Sequence, residues 1–294
     1  MTMNEAETGA GVRLAYQELG PADGSVVLLI AGLGMQLYFW PDSLCRALAE
    51  AGLRVVRFDH RDVGGSVRFE DGRRFRDRFA AIGRGEPVEL AYTLDDLAAD
   101  AVGLLDVLGV ASAHVVGASM GGSVAQLLAI GCPRRVRSLT SIMSSSGESG
   151  YGQPHPGAMS ALLAPPLRSR DEVIAQQVEL RRLLAADAFD EAVARADAAR
   201  AYDRGYYPPG VGRHLLAALS APSRAAGLRG LRVPALVIHG EADPLVDISG
   251  GRRVAALVPG AEFLELSGTG HDLAERDCPA IAAAIVQLAM RGTG

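Results

Sequence analysis

The sequence predicts an α/β protein: a doubly wound, mostly parallel sheet with a helical cap inserted between two of its strands. Three observations point there. Strand-like runs such as Val26–Ala31 (VVLLIA) are apolar without interruption, as expected of strands covered on both faces. Strand and helix patterns alternate towards both ends of the chain. From about Gly147 to Gly230 that alternation stops, and no strand pattern replaces it.

The elements follow in order. Val26–Ala31 is the first strong strand, set between the turn-forming Pro21-Ala22-Asp23-Gly24 and Gly32. A helix is expected from Asp42 to Ala51, then a strand over Leu53–Phe58. Thr93 and Asp96 have capping-box spacing ahead of Leu94, Leu97, Ala101, Leu104, Leu105 and Leu108, which predicts an amphipathic helix ending at Gly109. His114–Val116 is the next strand, and a helix from Ser119 stops at Gly131-Cys132-Pro133. Leu139–Met143, Ala235–His239 and Phe263–Leu266 are further strands, and a helix over Ala280–Met290 closes the pattern. The insertion opens with the Gly/Pro/Ser-rich SSSGESGYGQPHPG, reads as helical through Glu172–Arg200, and is broken at Tyr206-Tyr207-Pro208-Pro209-Gly210. The expected division is a core of residues 1–146 and 231–294 with a cap of residues 147–230.

Composition bounds the function. With 294 residues and 49% hydrophobic content the chain can bury a large core. A net charge of −5 leaves no electrostatic footprint for nucleic acid. Cys45, Cys132 and Cys278 are odd in number and far apart, which argues against a disulfide framework or a zinc site. The polar, acidic first residues carry no signal-like segment, and no apolar run approaches the ~20 residues of a membrane span. A cytoplasmic protein without a membrane partner is the expectation.

The chemistry concentrates at Gly117-Ala118-Ser119-Met120-Gly121, a G-x-S-x-G pattern between an apolar strand and a helix. A serine on such a turn is held in a strained conformation that lifts its hydroxyl clear of the sheet. The next N–H, that of Met120, faces the same space from a helix N-terminus. A serine needs a base. Of six histidines, His114 and His239 fall on strands, His60 in a loop after a strand, and His155 and His214 in the insertion, where a pocket wall or the surface is expected. His271 lies in the glycine-flanked loop Gly268-Thr269-Gly270-His271-Asp272 after the last strand, at the carboxyl edge of the sheet, and is the candidate base. Asp243, in the loop after ALVIH, is the candidate orienting carboxylate ahead of its neighbours Glu241 and Asp247, and gives the chain order Ser…Asp…His. A second oxyanion donor is expected from Gly32-Leu33-Gly34-Met35, namely the Leu33 N–H. Gly34 and Trp40 are candidate substrate contacts, Trp40 having core packing as its stronger alternative.

Together these residues resemble the α/β-hydrolase superfamily: Gly32-Leu33 as oxyanion loop, the Ser119 elbow, Asp243 and His271, with the insertion where that family carries a helical cap. Within it, Asp59-His60-Arg61-Asp62 with Gly64 and Ser66, HVVGASMG, Pro222-Ser223-Arg224-Ala225-Ala226 and PALVIHGEADP are similar to the aclacinomycin methylesterase-like serine esterases. That resemblance implies hydrolysis of a small-molecule ester, such as the methyl ester of an aromatic polyketide, with no metal and no organic cofactor. Other members of the superfamily act as haloperoxidases or perhydrolases, C–C bond hydrolases, lactonases, or non-hydrolytic receptors and cyclases, since a fold does not fix a function. Serine at 119 departs from the aspartate nucleophile of dehalogenases and epoxide hydrolases. Gly122-Ser123-Val124 departs from the haloperoxidase elbow, and Asp272 stands where meta-cleavage hydrolases often carry tryptophan.

Overall fold

The computed structural model describes residues 2–291. Among them, eight strands form one sheet: β1 (Asn4–Glu7), β2 (Arg13–Leu19), β3 (Val26–Ile30), β4 (Arg54–Phe58), β5 (Ala113–Ala118), β6 (Val136–Ile142), β7 (Ala235–Gly240) and β8 (Glu262–Leu266). The order is β1-β2-β4-β3-β5-β6-β7-β8. β1 and β2 join antiparallel, and every pairing from β4 to β8 is parallel. The helices are α1 (Asp42–Glu50), α2 (Phe75–Gly83), α3 (Leu94–Val107), α4 (Met120–Gly131), α5 (Pro156–Leu162), α6 (Arg170–Ala185), α7 (Glu191–Gly205), α8 (Pro208–Ser220), α9 (Ala225–Arg229), α10 (Ser249–Leu257) and α11 (Cys278–Arg291).

The apolar run of β3 divides by alternation. Val26, Leu28 and Ile30 enter the core shared with α3 and α4, while Val27 and Leu29 enter the core shared with α1 and α11. Both faces are therefore covered, and every residue of β3 is buried. α3 starts in a true capping box: Thr93 Oγ1 accepts from the Asp96 N–H, and Asp96 Oδ2 accepts from the Thr93 N–H at 2.7 Å.

Two strands precede the first one expected. β1 and β2 form an antiparallel hairpin in which β1 is the sheet edge, with Glu5 and Glu7 exposed, while Ala6 and, from β2, Leu14 reach the core. The polarity of this exposed edge conceals its strand pattern. In the insertion, the Pro-Pro-Gly expected as a break instead opens α8, with proline in the first helical turn, where its missing N–H costs nothing.

α5–α8 fall in the stretch expected as a cap and keep that label; α6, α7 and α8 reach the loops after β8, β4 and β3 through Leu184 to His271, Arg204 to Asp59 and His214 to Gly34. α9 leads the chain back to β7, and its Ala225 and Leu228 pack in the α3–α4 core. No helix among the described residues is long and apolar enough to cross a membrane.

Candidate active site

β5 ends at Ala118 and α4 begins at Met120, leaving Ser119 alone in the turn with φ 55° and ψ −122°. A non-glycine residue there carries strain of about 1–3 kcal/mol, which the surroundings must hold in place. The Ser119 N–H is held by the Ile142 carbonyl at 2.8 Å, and the Ser119 carbonyl accepts from Gly122 at 2.9 Å. The flanking glycines serve close approach. A Cβ on Gly117 would overlap the Gly121 carbonyl, and one on Gly121 would overlap the carbonyls of Ile30 and Ala31.

Asp243 and His271 meet this turn from the loops after β7 and β8. Those loops stay paired beyond the strands, through Glu241 N–H to Leu266 O at 2.9 Å and Ala242 N–H to Thr269 O at 3.0 Å. His271 Nε2 lies 2.9 Å from Ser119 Oγ, and His271 Nδ1 lies 2.7 Å from Asp243 Oδ2. An ionised carboxylate only accepts, so Nδ1 carries the proton and Nε2 is left to accept from the serine hydroxyl.

The other Asp243 oxygen accepts from the Leu245 and Val246 N–H groups, both at 2.8 Å. Burial works to raise the Asp243 carboxyl, but His271 and His239 beside it and these N–H donors hold it well below the usual carboxylate range. His239 donates from Nε2 to the Val246 carbonyl at 2.7 Å and so braces the same loop. Glu241 instead accepts from Ser267 and Gly268 at the surface, and Asp247 accepts from the Ser249 N–H.

The Gly32–Met35 loop faces the elbow, close enough that a Cβ on Gly32 would sit 3.3 Å from Ser119 Cβ. Among the described residues neither the Leu33 nor the Met120 N–H has a protein acceptor, so both are available to an oxyanion. Gly34 faces the cap rather than the serine. Its N–H donates to His214 Nδ1 at 3.2 Å, and a Cβ on it would lie 2.9 Å from Val211 Cγ2. Trp40, a candidate substrate contact in the sequence, is fully buried with Leu44, Cys45 and Leu48, edge-on to Phe39. It packs the core and offers no surface to a ligand.

Several residues around the site gave no local signal. His214, expected at a pocket wall or the surface, is completely buried, with Nε2 3.0 Å from the Arg61 carbonyl. Asp59 is a hub: it accepts from the Leu37 and Gly65 N–H groups and pairs with Arg204 of α7 at 2.5 Å. Asp272 binds Arg181 of α6 at 2.8 Å, and the end of α6 accepts the His271 N–H at Leu184 O, 2.6 Å away. The closely spaced acids and glycines of Asp59–Ser66 were the only sequence trace of this cap-to-core network.

The family profile for the alpha/beta hydrolase fold matches residues 25–276. The rhodomycin D methylesterase of Streptomyces peucetius is 32% identical over 95% of this chain and 95% of its own length. That of Streptomyces sp. strain C5 is 33% identical over 93% of this chain and 94% of its own. The structure superposes on a meta-cleavage product hydrolase from Pseudomonas fluorescens IP01 with a TM-score of 0.77, at 20% identity, covering 99% and 98% of the two chains. A mostly parallel sheet with a serine elbow, a histidine loop and an aspartate loop at its carboxyl edge, matched by the family profile over most of its length, makes this chain a member of the α/β-hydrolase fold family.

Proposed function

We propose that the chain is a serine carboxylesterase that cleaves an ester, favouring the methyl ester of an aromatic polyketide or similar hydrophobic acid. The observation that carries this reading is the unbroken relay Asp243–His271–Ser119, with both bonds under 3 Å around a serine at positive φ. The full-length relatives that are rhodomycin D methylesterases support the methyl-ester choice.

Ser119 Oγ attacks the ester carbonyl while its proton passes to His271 Nε2. Asp243 holds the ring and stabilises the imidazolium that results. The oxyanion accepts from the Leu33 and Met120 N–H groups. Collapse breaks the C–O bond to the methoxy group, which takes the proton from His271 and leaves as methanol. Water then gives a proton to His271 and attacks the acyl-serine, and Ser119 leaves with that proton as the carboxylic acid is released.

Ser119→Ala should abolish covalent labelling by an organophosphonate and lower ester turnover by at least about 10³-fold. Intact-mass analysis and a panel of aromatic methyl esters, p-nitrophenyl esters and lactones check this. An adduct on the Ser119→Ala protein would sink the nucleophile assignment. Turnover of lactones alone would keep the nucleophile and remove the methyl-ester reading.

A further inference from the structure

The geometry points to His214 of α8 as a positioning residue that fixes the oxyanion loop from the cap side, with His60 fixing the same loop from the core side. This rests on the esterase reading above and adds to it residues that touch neither substrate nor reacting atoms.

α8 presses onto the core at its start. Its first turn reads Pro208-Pro209-Gly210-Val211-Gly212, and the glycines let the helix descend onto the core: a Cβ on Gly210 would overlap the Asp62 carbonyl, and one on Gly212 would lie 3.1 Å from Phe75. Val211 and His214, three residues apart, share the face turned to the oxyanion loop. Val211 packs on Gly34, whose φ of 66° suits a residue without Cβ. His214 Nδ1 accepts the Gly34 N–H at 3.2 Å, and Nε2 reaches the Arg61 carbonyl at 3.0 Å. A carbonyl only accepts, so Nε2 carries the ring proton and Nδ1 is free to accept.

His60 mirrors this arrangement. Its Nε2 lies 3.2 Å from the carbonyl of Ala31, the residue before Gly32, and its ring stands edge-on to His214 at 5.7 Å between centroids. The two rings therefore grip the loop on either side of the Leu33 N–H, one at the Ala31 carbonyl and one at the Gly34 N–H. Burial holds both neutral, pushing His60 down to about 3 and His214 to about 4. A protonated His214 could not accept from Gly34. Oxyanion donors act through their fixed placement, so slack in this loop is felt in the transition state and hardly in substrate binding.

The test uses three variants of the full chain. His214→Leu removes both links. His214→Gln places its amide near the Nε2 position and keeps the Arg61 link, whereas His214→Asn places an acceptor near Nδ1 and keeps the Gly34 link. In the Leu and Gln variants kcat should fall roughly 10- to 100-fold with KM within about twofold. The Ki of an aryl trifluoromethyl ketone, which mimics the tetrahedral intermediate, should rise in parallel. His214→Asn should recover most of the loss. Should the Leu variant not fold, the Asn and Gln pair carries the same contrast.

Wild-type kcat in folded Leu or Gln variants overturns the inference. So does a rise in KM at constant kcat, which would make His214 a pocket wall. Turnover retained in Ser119→Ala removes the esterase reading itself. A dead Ser119→Ala protein with a flat His214 series removes only this inference.

Discussion

At Ser119 two demands compete: the backbone is strained, yet it must be rigid. The glycines around it resolve this by letting α4 press against β3, so rigidity comes from backbone-on-backbone contact. Gly121 and Gly131 are both glycines of α4, but they differ in surroundings. A Cβ at 121 would overlap the Ile30 and Ala31 carbonyls, whereas one at 131 meets nothing within 4 Å. Gly121→Ala should therefore push the start of α4, and the Met120 N–H, off the sheet. A stability loss of about 1–3 kcal/mol and a fall in kcat of roughly 100-fold are expected. Gly131→Ala should leave both unchanged or add a few tenths of a kcal/mol in stability. Thermal melts and ester turnover on the two variants check this, and equal effects would refute it. The elbow was legible in the sequence because its constraints lie within five consecutive residues. Nothing local distinguishes His214 from a surface histidine, because its partners, Gly34 and Arg61, are 180 and 153 residues away.

Between elements, α6 is stitched to the loop after β8. The end of α6 accepts the Gly270 N–H at Ala185 and the His271 N–H at Leu184, and Ala186 bridges Thr269 with φ 51°. Arg181 adds an ion pair to Asp272 and a second to Asp197 of α7. The position of His271 is thus set partly by α6. Gly270 is what allows the contact, because a Cβ there would overlap the Leu184 carbonyl. Gly270→Ala should part the two segments, lowering kcat by roughly 10- to 100-fold and speeding proteolysis around residues 186–190. Asp272→Asn weakens the ion pair but preserves shape, so its loss should stay within about tenfold. Kinetics with limited proteolysis test the pair; an unaltered cleavage pattern in Gly270→Ala would count against the stitching. From about Gly147 to Gly230 the sequence reads as helical, without a convincing strand pattern. It could not show what that stretch touches. β1 escaped for a related reason: as the edge strand it exposes Glu5 and Glu7, which mask its alternation.

Across the whole molecule, three buried histidines make stability depend on pH. Burial pushes His60 down to about 3 and His214 to about 4, with His60, Tyr92, Asp62, Arg61 and Arg213 facing the latter. His114, against Ser138 at 2.8 Å and near Arg137, is likewise pushed down to about 4, chiefly by burial. An unfolded histidine takes up its proton near pH 6.5. Between that value and about pH 4 the unfolded chain therefore binds more protons than the folded one, and the sign of the linkage makes stability fall as the pH falls. The contribution is complete above about pH 6.5. For His214 it amounts to a loss on the order of 3 kcal/mol at pH 4, with the other two rings adding to it. Asp243 works in the same direction at a lower pH: its carboxylate is held below the usual range, so its contribution is present above the unfolded value near 3.9 and is lost only as the pH falls beneath it. The melting temperature should therefore drop by roughly 10 °C or more between pH 6.5 and 4.5, before the carboxylates take up protons in number. Calorimetry across that window, with NMR of the imidazole Cε1–H signals at pH 5, checks both parts. Three rings still neutral at pH 5 with a sloping melting curve is the expected result; a flat curve would mean that these histidines titrate as freely as exposed ones.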